Sequence, residues 1–314
     1  MKYFLKLTLT LILLTIVVDT SSVQAQESVS LGVFPPLLEV EMVPGKSITQ
    51  VFKIYNQSEI PLVLETKLVI FEPKDEKGEI TLKQEPTGGE RNWFSFLNKN
   101  LELGDRFNLP AQKSQEAVLV INLPSSAPEG DYYYTLLAQT VPEERFSGNS
   151  IAQVKIGANV LLTISKGKKE EQNISIASFR IKNTLFRLLN LKLVDSFSPP
   201  QFEIRLENKG RHFLKPQGEI KITDTFGQEQ TLSLLEENIL AQAIRNIGCQ
   251  ESPACQLKGK FFLGVYKAQL ITEKQNQEIV FISLPFKLIL GLIGLTGFLL
   301  VVKKAGKLGV DKRF

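Results

Sequence analysis

Ile48-Thr-Gln-Val-Phe-Lys-Ile-Tyr-Asn-Gln-Ser58 and, after Glu59-Ile-Pro61, Leu62-Val-Leu-Glu-Thr-Lys-Leu-Val-Ile-Phe71 decide the fold. Both runs are rich in β-branched and aromatic residues, and the break between them is made of Asn, Ser and Pro, which turn a chain. In the second run Leu62, Leu64, Leu68 and Ile70 share one face, with Thr66 the only polar interruption. That two-residue period belongs to a half-buried strand.

Working outward, the same grammar recurs. Leu37 to Val43 is a strand candidate closed by Pro44-Gly45, Val118 to Leu123 leads into Pro124, and Tyr132 to Thr140 and Ile151 to Ile164 complete a first set. No long stretch carries a helical period, so short strands and turns at this spacing predict an all-β sandwich. The exception is Glu72 to Gln115, which holds a turn at Lys74-Asp-Glu-Lys-Gly78 and an apolar cluster at Trp93-Phe-Ser-Phe-Leu97. Trp93, Phe94 and Phe96 either plug one end of the sandwich or form an exposed aromatic contact.

The charged stretch Ser165-Lys-Gly-Lys-Lys-Glu-Glu-Gln172 marks a boundary. Beyond it Ile174 to Ile181, Leu189 to Val194, Gln201 to Glu207, Gly218 to Thr223 and Tyr266 to Thr272 read as strands, with turns at Asn208-Lys-Gly210 and Asp224-Thr-Phe-Gly227. Two sandwiches follow, one over 26–165 and one over 173–284.

The ends of the chain carry targeting signals. Lys2 and Lys6, the apolar run Leu7 to Val18, and Val23-Gln-Ala25 have the order of a signal peptide cleaved after residue 25. At the other end, 285–302 is apolar, starts at Pro285, holds Lys287 one turn in, and is followed by Lys303, Lys304, Lys307, Lys312 and Arg313. This predicts one transmembrane helix, with 303–314 as a basic tail too short to fold and held in the cytoplasm by the positive-inside rule. The sandwiches are then placed outside the cell membrane.

Charge supports this division. Of 37 basic and 33 acidic residues, eight and two lie in the terminal segments, leaving 29 and 31 outside. A nearly neutral exterior offers no phosphate-binding surface, so no nucleic-acid partner is expected. His212 is the single histidine, and no nucleophile elbow or phosphate-cradling glycine loop is present. The expectation is therefore no enzyme, no metal and no cofactor. Cys249 and Cys255, in Gly248-Cys-Gln-Glu-Ser-Pro-Ala-Cys255, form a disulfide clip if the exterior is oxidising; a free thiol pair or part of a metal site is the alternative.

Pro35-Pro-Leu-Leu-Glu-Val40, Val43-Pro-Gly-Lys-Ser47, Phe52 to Ser58 and Leu123-Pro-Ser-Ser-Ala-Pro-Glu-Gly-Asp-Tyr-Tyr133 carry a resemblance. The chain resembles the WxL-interacting proteins, Gram-positive-type surface proteins with immunoglobulin-like domains that bind peptidoglycan and host. The resemblance implies two immunoglobulin-like sandwiches in tandem and a surface binding or adhesion function toward cell-wall polymer or a surface protein. The alternative expectation is a structural or chaperone-like subunit of a surface assembly, acting by β-strand augmentation.

Overall fold

A computed structural model describes residues 29–141, 153–167, 173–188 and 191–310. The expected leader, residues 168–172 of the charged boundary, the first two residues of the strands expected from Ile151 and from Leu189, and the last four residues lie outside the described residues. The chain is mostly β, with its sheets in a sandwich-like arrangement and one apolar helix at the C-terminal end.

The first half contains β1 (Leu31–Phe34), β2 (Leu37–Met42), β3 (Ser47–Asn56), β4 (Leu62–Pro73), β5 (Ile80–Leu82), a 3-10 turn (Gly88–Trp93), β6 (Phe94–Phe96), β7 (Arg106–Leu109), β8 (Ser114–Asn122), β9 (Gly130–Thr140) and β10 (Lys155–Ile164). One sheet runs β1-β3-β8-β6; the facing one runs β2-β10-β9-β4-β5, with β7 also on β4. β1 and β2 are one chain segment that crosses between sheets at Pro35-Pro36, and β2 then pairs in parallel with β10. Alternation fills the space between: Phe52, Ile54, Leu64, Leu68, Leu119, Ile121, Tyr134, Leu136, Val160 and Leu162 are all buried in one cluster. Thr66, the polar interruption, is buried there with its hydroxyl toward the Glu102 carbonyl.

The second half contains β11 (Ile174–Ile181), β12 (Phe186–Leu188), β13 (Leu191–Asp195), β14 (Phe202–Asn208), β15 (Gly218–Thr223), β16 (Glu229–Ser233), β17 (Ile244–Asn246), β18 (Gly264–Thr272) and β19 (Asn276–Leu284). A three-stranded sheet β11-β14-β17 faces a six-stranded one, β12-β13-β19-β18-β15-β16. A second cluster including Phe202, Ile204, Leu206, Ile220, Leu270 and Phe281 lies between them.

Only Pro285 separates β19 from the helix α1 (Phe286–Val310). None of its first 18 residues, Phe286–Lys303, is buried, and at 1.5 Å rise they extend about 27 Å, close to a bilayer core. The backbone stays helical beyond Lys303 as far as Val310, whereas the sequence suggested an unfolded tail. Lysines near a helix C-terminus complement its dipole, and Lys, Ala and Leu are good helix formers.

Candidate functional site

Edge strands decide what a β protein can bind through its backbone, because their outward N–H and C=O groups lack a ladder partner. In β10 the direction of each residue is fixed by its bonds. The Val154 carbonyl accepts the Thr140 N–H at 2.9 Å, toward β9, while the Asn159 N–H donates to the Pro36 carbonyl at 2.8 Å, on the other side. Lys155 and Gly157 therefore aim their backbone groups away from β9. The β2 partner begins only opposite Asn159, so among the described residues nothing pairs with them. The same parity applies to β1, where Ser30 faces β3 through its bond with the Gln57 N–H, leaving Leu31 and Val33 facing outward. The strand switch at Pro35-Pro36 thus opens a notch between the end of one sheet and the start of the other. Phe34, 65% exposed, stands at its rim. Next to the notch, the outer edge of β2 carries Glu39 and Glu41 between Pro36 and Pro44, a charged, proline-flanked rim that resists pairing.

Much of the β4 and β8 edges of the first half is occupied, by short strands and single side chains. β4 is covered over most of its length by β7, the Gly104 N–H, Lys83, Gln84 and β5. Where β6 ends, the Asn98 amide occupies the edge of β8, accepting the Val118 N–H at 2.8 Å and donating to the Glu116 carbonyl at 3.1 Å.

A polar joint holds the halves together. Asp131, at the start of β9, has a side chain only 2% exposed, which accepts from Thr163 (2.8 Å), the Tyr133 hydroxyl (2.9 Å) and the Phe213 N–H, with His212 Nδ1 at 2.7 Å. Burial holds the Tyr133 phenol far above its usual value, so it stays protonated; it also accepts the Ala241 N–H at 3.0 Å. Glu76 reaches across to Arg205, whose Nε lies at 2.6 Å, and the Glu76 carbonyl takes the Asn246 N–H at 2.6 Å. Glu39 meets Lys215 at 2.7 Å and Asn238 at 2.6 Å. Burial pushes the Glu39 carboxyl up, but bonds from Lys215 and Asn238 and the Lys215 charge more than offset it, so its pKa is lowered. Between these contacts is a cavity of about 160 Å³ lined by Leu37, Phe71 and Leu161 from one half and Leu240, Ile244 and Arg245 from the other.

The residues singled out from sequence fall in other places. Trp93 and Phe94 are each 5% exposed, edge-on to Tyr132 and Tyr134, and Phe96 is half-buried against the same cluster. They are packing rather than an exposed contact, because the 3-10 turn and β6 fold back over the core. Cys249 and Cys255 form a buried disulfide. Lys303 is exposed on α1, and Lys304 and Lys307 lie on its backbone. His212 sits half-buried in a loop just after the Asn208-Lys-Gly210 turn and faces Asp131. No signal short of the fold itself brings Glu39, Glu76 and Asp131 to the joint, although Asp75-Glu-Lys-Gly78 is the turn that was expected.

No family model matches the chain, and no curated protein matches it. Among solved structures it is similar to the class 5 fimbriae chaperone CfaA, at 13% identity and TM-score 0.38, over 81% of this chain and 100% of that one. The E. coli chaperone DraB gives 13% and 0.35, over 81% and 97%. A Salmonella enterica SafA pilin in complex with the SafB chaperone gives 11% and 0.34, over 82% and 98%. Likeness at this level assigns no role to any residue here.

Proposed function

We propose that the chain is two immunoglobulin-like domains in tandem, held outside a cell membrane by α1, and that it serves as a structural or chaperone-like subunit of a surface assembly. Its partner is a surface protein that adds a strand at the β1/β10 notch. One observation carries this reading: the backbone groups of Lys155 and Gly157 face outward unpaired among the described residues, beside a break between the two sheets, while much of the β4 and β8 edges is occupied. Strand addition uses just such an edge, gaining affinity from main-chain bonds and selectivity from alternate side chains. The polar joint sets the angle of the two halves beside the notch, so the partner meets a fixed surface rather than two independent modules.

The test is a photo-crosslinking residue at position 155 of the full chain in intact cells. A discrete adduct with one protein at near-stoichiometric yield supports the proposal. A polydisperse adduct with wall polymer would instead support adhesion, and absence of any adduct would contradict both.

A further inference from the structure

The geometry points to a membrane-seated end on the second sandwich: Phe197, Phe226, Phe261 and Leu263, with Lys258 and Lys260, rest on the lipid surface around the point where α1 leaves. This inference rests on the membrane-anchored reading above.

Register fixes which loops share that end. β19 runs toward α1, and its last residues Ser283 and Leu284 lie opposite Gly264 of β18 and Asp195 of β13. The segment before Gly264 and the segment after Asp195 therefore project at the helix end. β15 pairs with β18 so that Thr223 meets Lys267, which sends the Asp224 to Gly227 turn to the same end. Thr225 pins that turn there, exchanging bonds of 2.8 and 2.9 Å with the backbone of Val265.

Those three loops carry three exposed phenylalanines and an exposed leucine. Phe226 is 85% exposed, Phe197 50% and Phe261 51%, with Leu263 at 51%. Phe197 and Phe261 pack edge to face at 5.3 Å, so they present one apolar surface. Lys258 and Lys260, both exposed, flank Phe261. An apolar aromatic surface rimmed by lysine suits the boundary between headgroups and acyl chains, where the ring enters the apolar layer and the ammonium meets anionic lipid.

Bonds at the junction tie this end to the start of the helix. The Ser196 N–H donates to the Leu284 carbonyl at 2.9 Å and the Phe262 N–H to the Ser196 carbonyl at 2.9 Å, tying the Phe197/Phe261 pair to the last residue before Pro285. Asp195, 1% exposed, accepts the Lys287 N–H at 3.3 Å, and the Lys287 ammonium lies 3.4 Å from its other oxygen. A buried carboxylate at a helix N-terminus is favoured by the helix dipole, which makes this a rigid socket rather than a linker. With no spacer between sandwich and span, the apolar loops are held at the membrane surface.

The test places a photo-crosslinking residue at positions 226, 261, 292 and 97 of the full chain in vesicles of phosphatidylcholine and phosphatidylglycerol. Leu292 lies within α1, and Leu97 is an exposed apolar residue of the first half. Lipid adducts at 226 and 261 comparable to that at 292, with none at 97, are expected. Adducts at 292 but none at 226 and 261 would overturn the inference while leaving the span intact. Loss of the adduct at 292 as well would overturn the membrane reading and the inference together. Equal adducts at 97, or dimer-sized protein adducts at 226 and 261, would also refute it, the latter assigning this end to a second copy. Lys258→Gln with Lys260→Gln should weaken the 261 adduct in these vesicles but not in vesicles of phosphatidylcholine alone.

Discussion

The two sandwiches share one internal device and differ at their edges. In the first, Asn56 ends β3 and donates its amide to the carbonyls of Ile60, Leu109 and Pro110, while its oxygen accepts the Ser58 N–H. In the second, Asn208 ends β14 and donates to His212, Ile239 and Leu240, with its oxygen accepting the Gly210 N–H. The offsets of four and two residues are identical, and both side chains are buried. An asparagine is suited to this task because one amide can satisfy a turn N–H and several carbonyls that folding has taken from water. The same corner therefore closes both halves.

Their edges diverge. β11 carries a bulge between Ile176 and Ser178, and the Gln275 side chain takes the Ile176 N–H. The end of β16 is covered by Gln250 and Glu251 of the disulfide loop, and the Asn246 N–H of β17 is taken by Glu76. Bulges and covering loops are the usual means of blocking an edge. The first half keeps its notch open. A common corner with unequal edges separates what makes a sandwich fold from what leaves one of them with unpaired backbone groups.

The corner gives the largest expected effect. Asn56→Leu and Asn208→Leu each strand buried carbonyls and an N–H, and each should cost about 3 kcal/mol or more. Denaturant titration of the full chain in detergent micelles should show the loss in the half concerned; a loss in only one variant would break the equivalence of the corners. Replacing Cys249 and Cys255 by Ser should cost about 2 kcal/mol, since so short a loop constrains little of the unfolded chain. Only the transition of the second half should move, and a matching shift in the first would show that the joint couples them.

The smallest effect lies at the joint. Because the folded pKa of Glu39 is lowered, its contribution is complete above the ordinary value near 4.5 and is lost as pH falls through the lower folded value. Stability of the wild type should fall across that acid window more steeply than that of Glu39→Gln, measured by thermal unfolding at a series of pH values. Identical slopes would remove Glu39 from the joint.

Much of the frame is legible in the sequence. Strict alternation identifies β4, and the strands β3, β14 and β15 end within a residue or two of the turns read from Asn, Gly and Asp. β19 is not legible, although it is central, because Pro285 alone divides its apolar run from that of α1 and the two read as one approach to the membrane. β5, β6 and β7 are too short for a period to emerge and exist only through the partners they cover. Pro35-Pro36 and Pro44-Gly45, which contribute to the family resemblance, do local work: the first pair changes sheets, and Gly45 adopts φ 78 and donates to the Pro124 carbonyl. The notch itself is invisible in sequence. Lys155 and Gly157 look like any strand residues, and their availability follows from where β2 happens to begin.

The notch is tested most directly by Lys155→Pro. Proline there removes an N–H that points away from β9, so the internal ladder keeps its bonds, and proline is tolerated at a strand start on an edge. Measured together, denaturant stability of the full chain should stay within about 0.5 kcal/mol of wild type, as for a surface change, while co-purification of the surface partner is lost. Retained capture of that partner by a stably folded Lys155→Pro chain would contradict strand addition at β10.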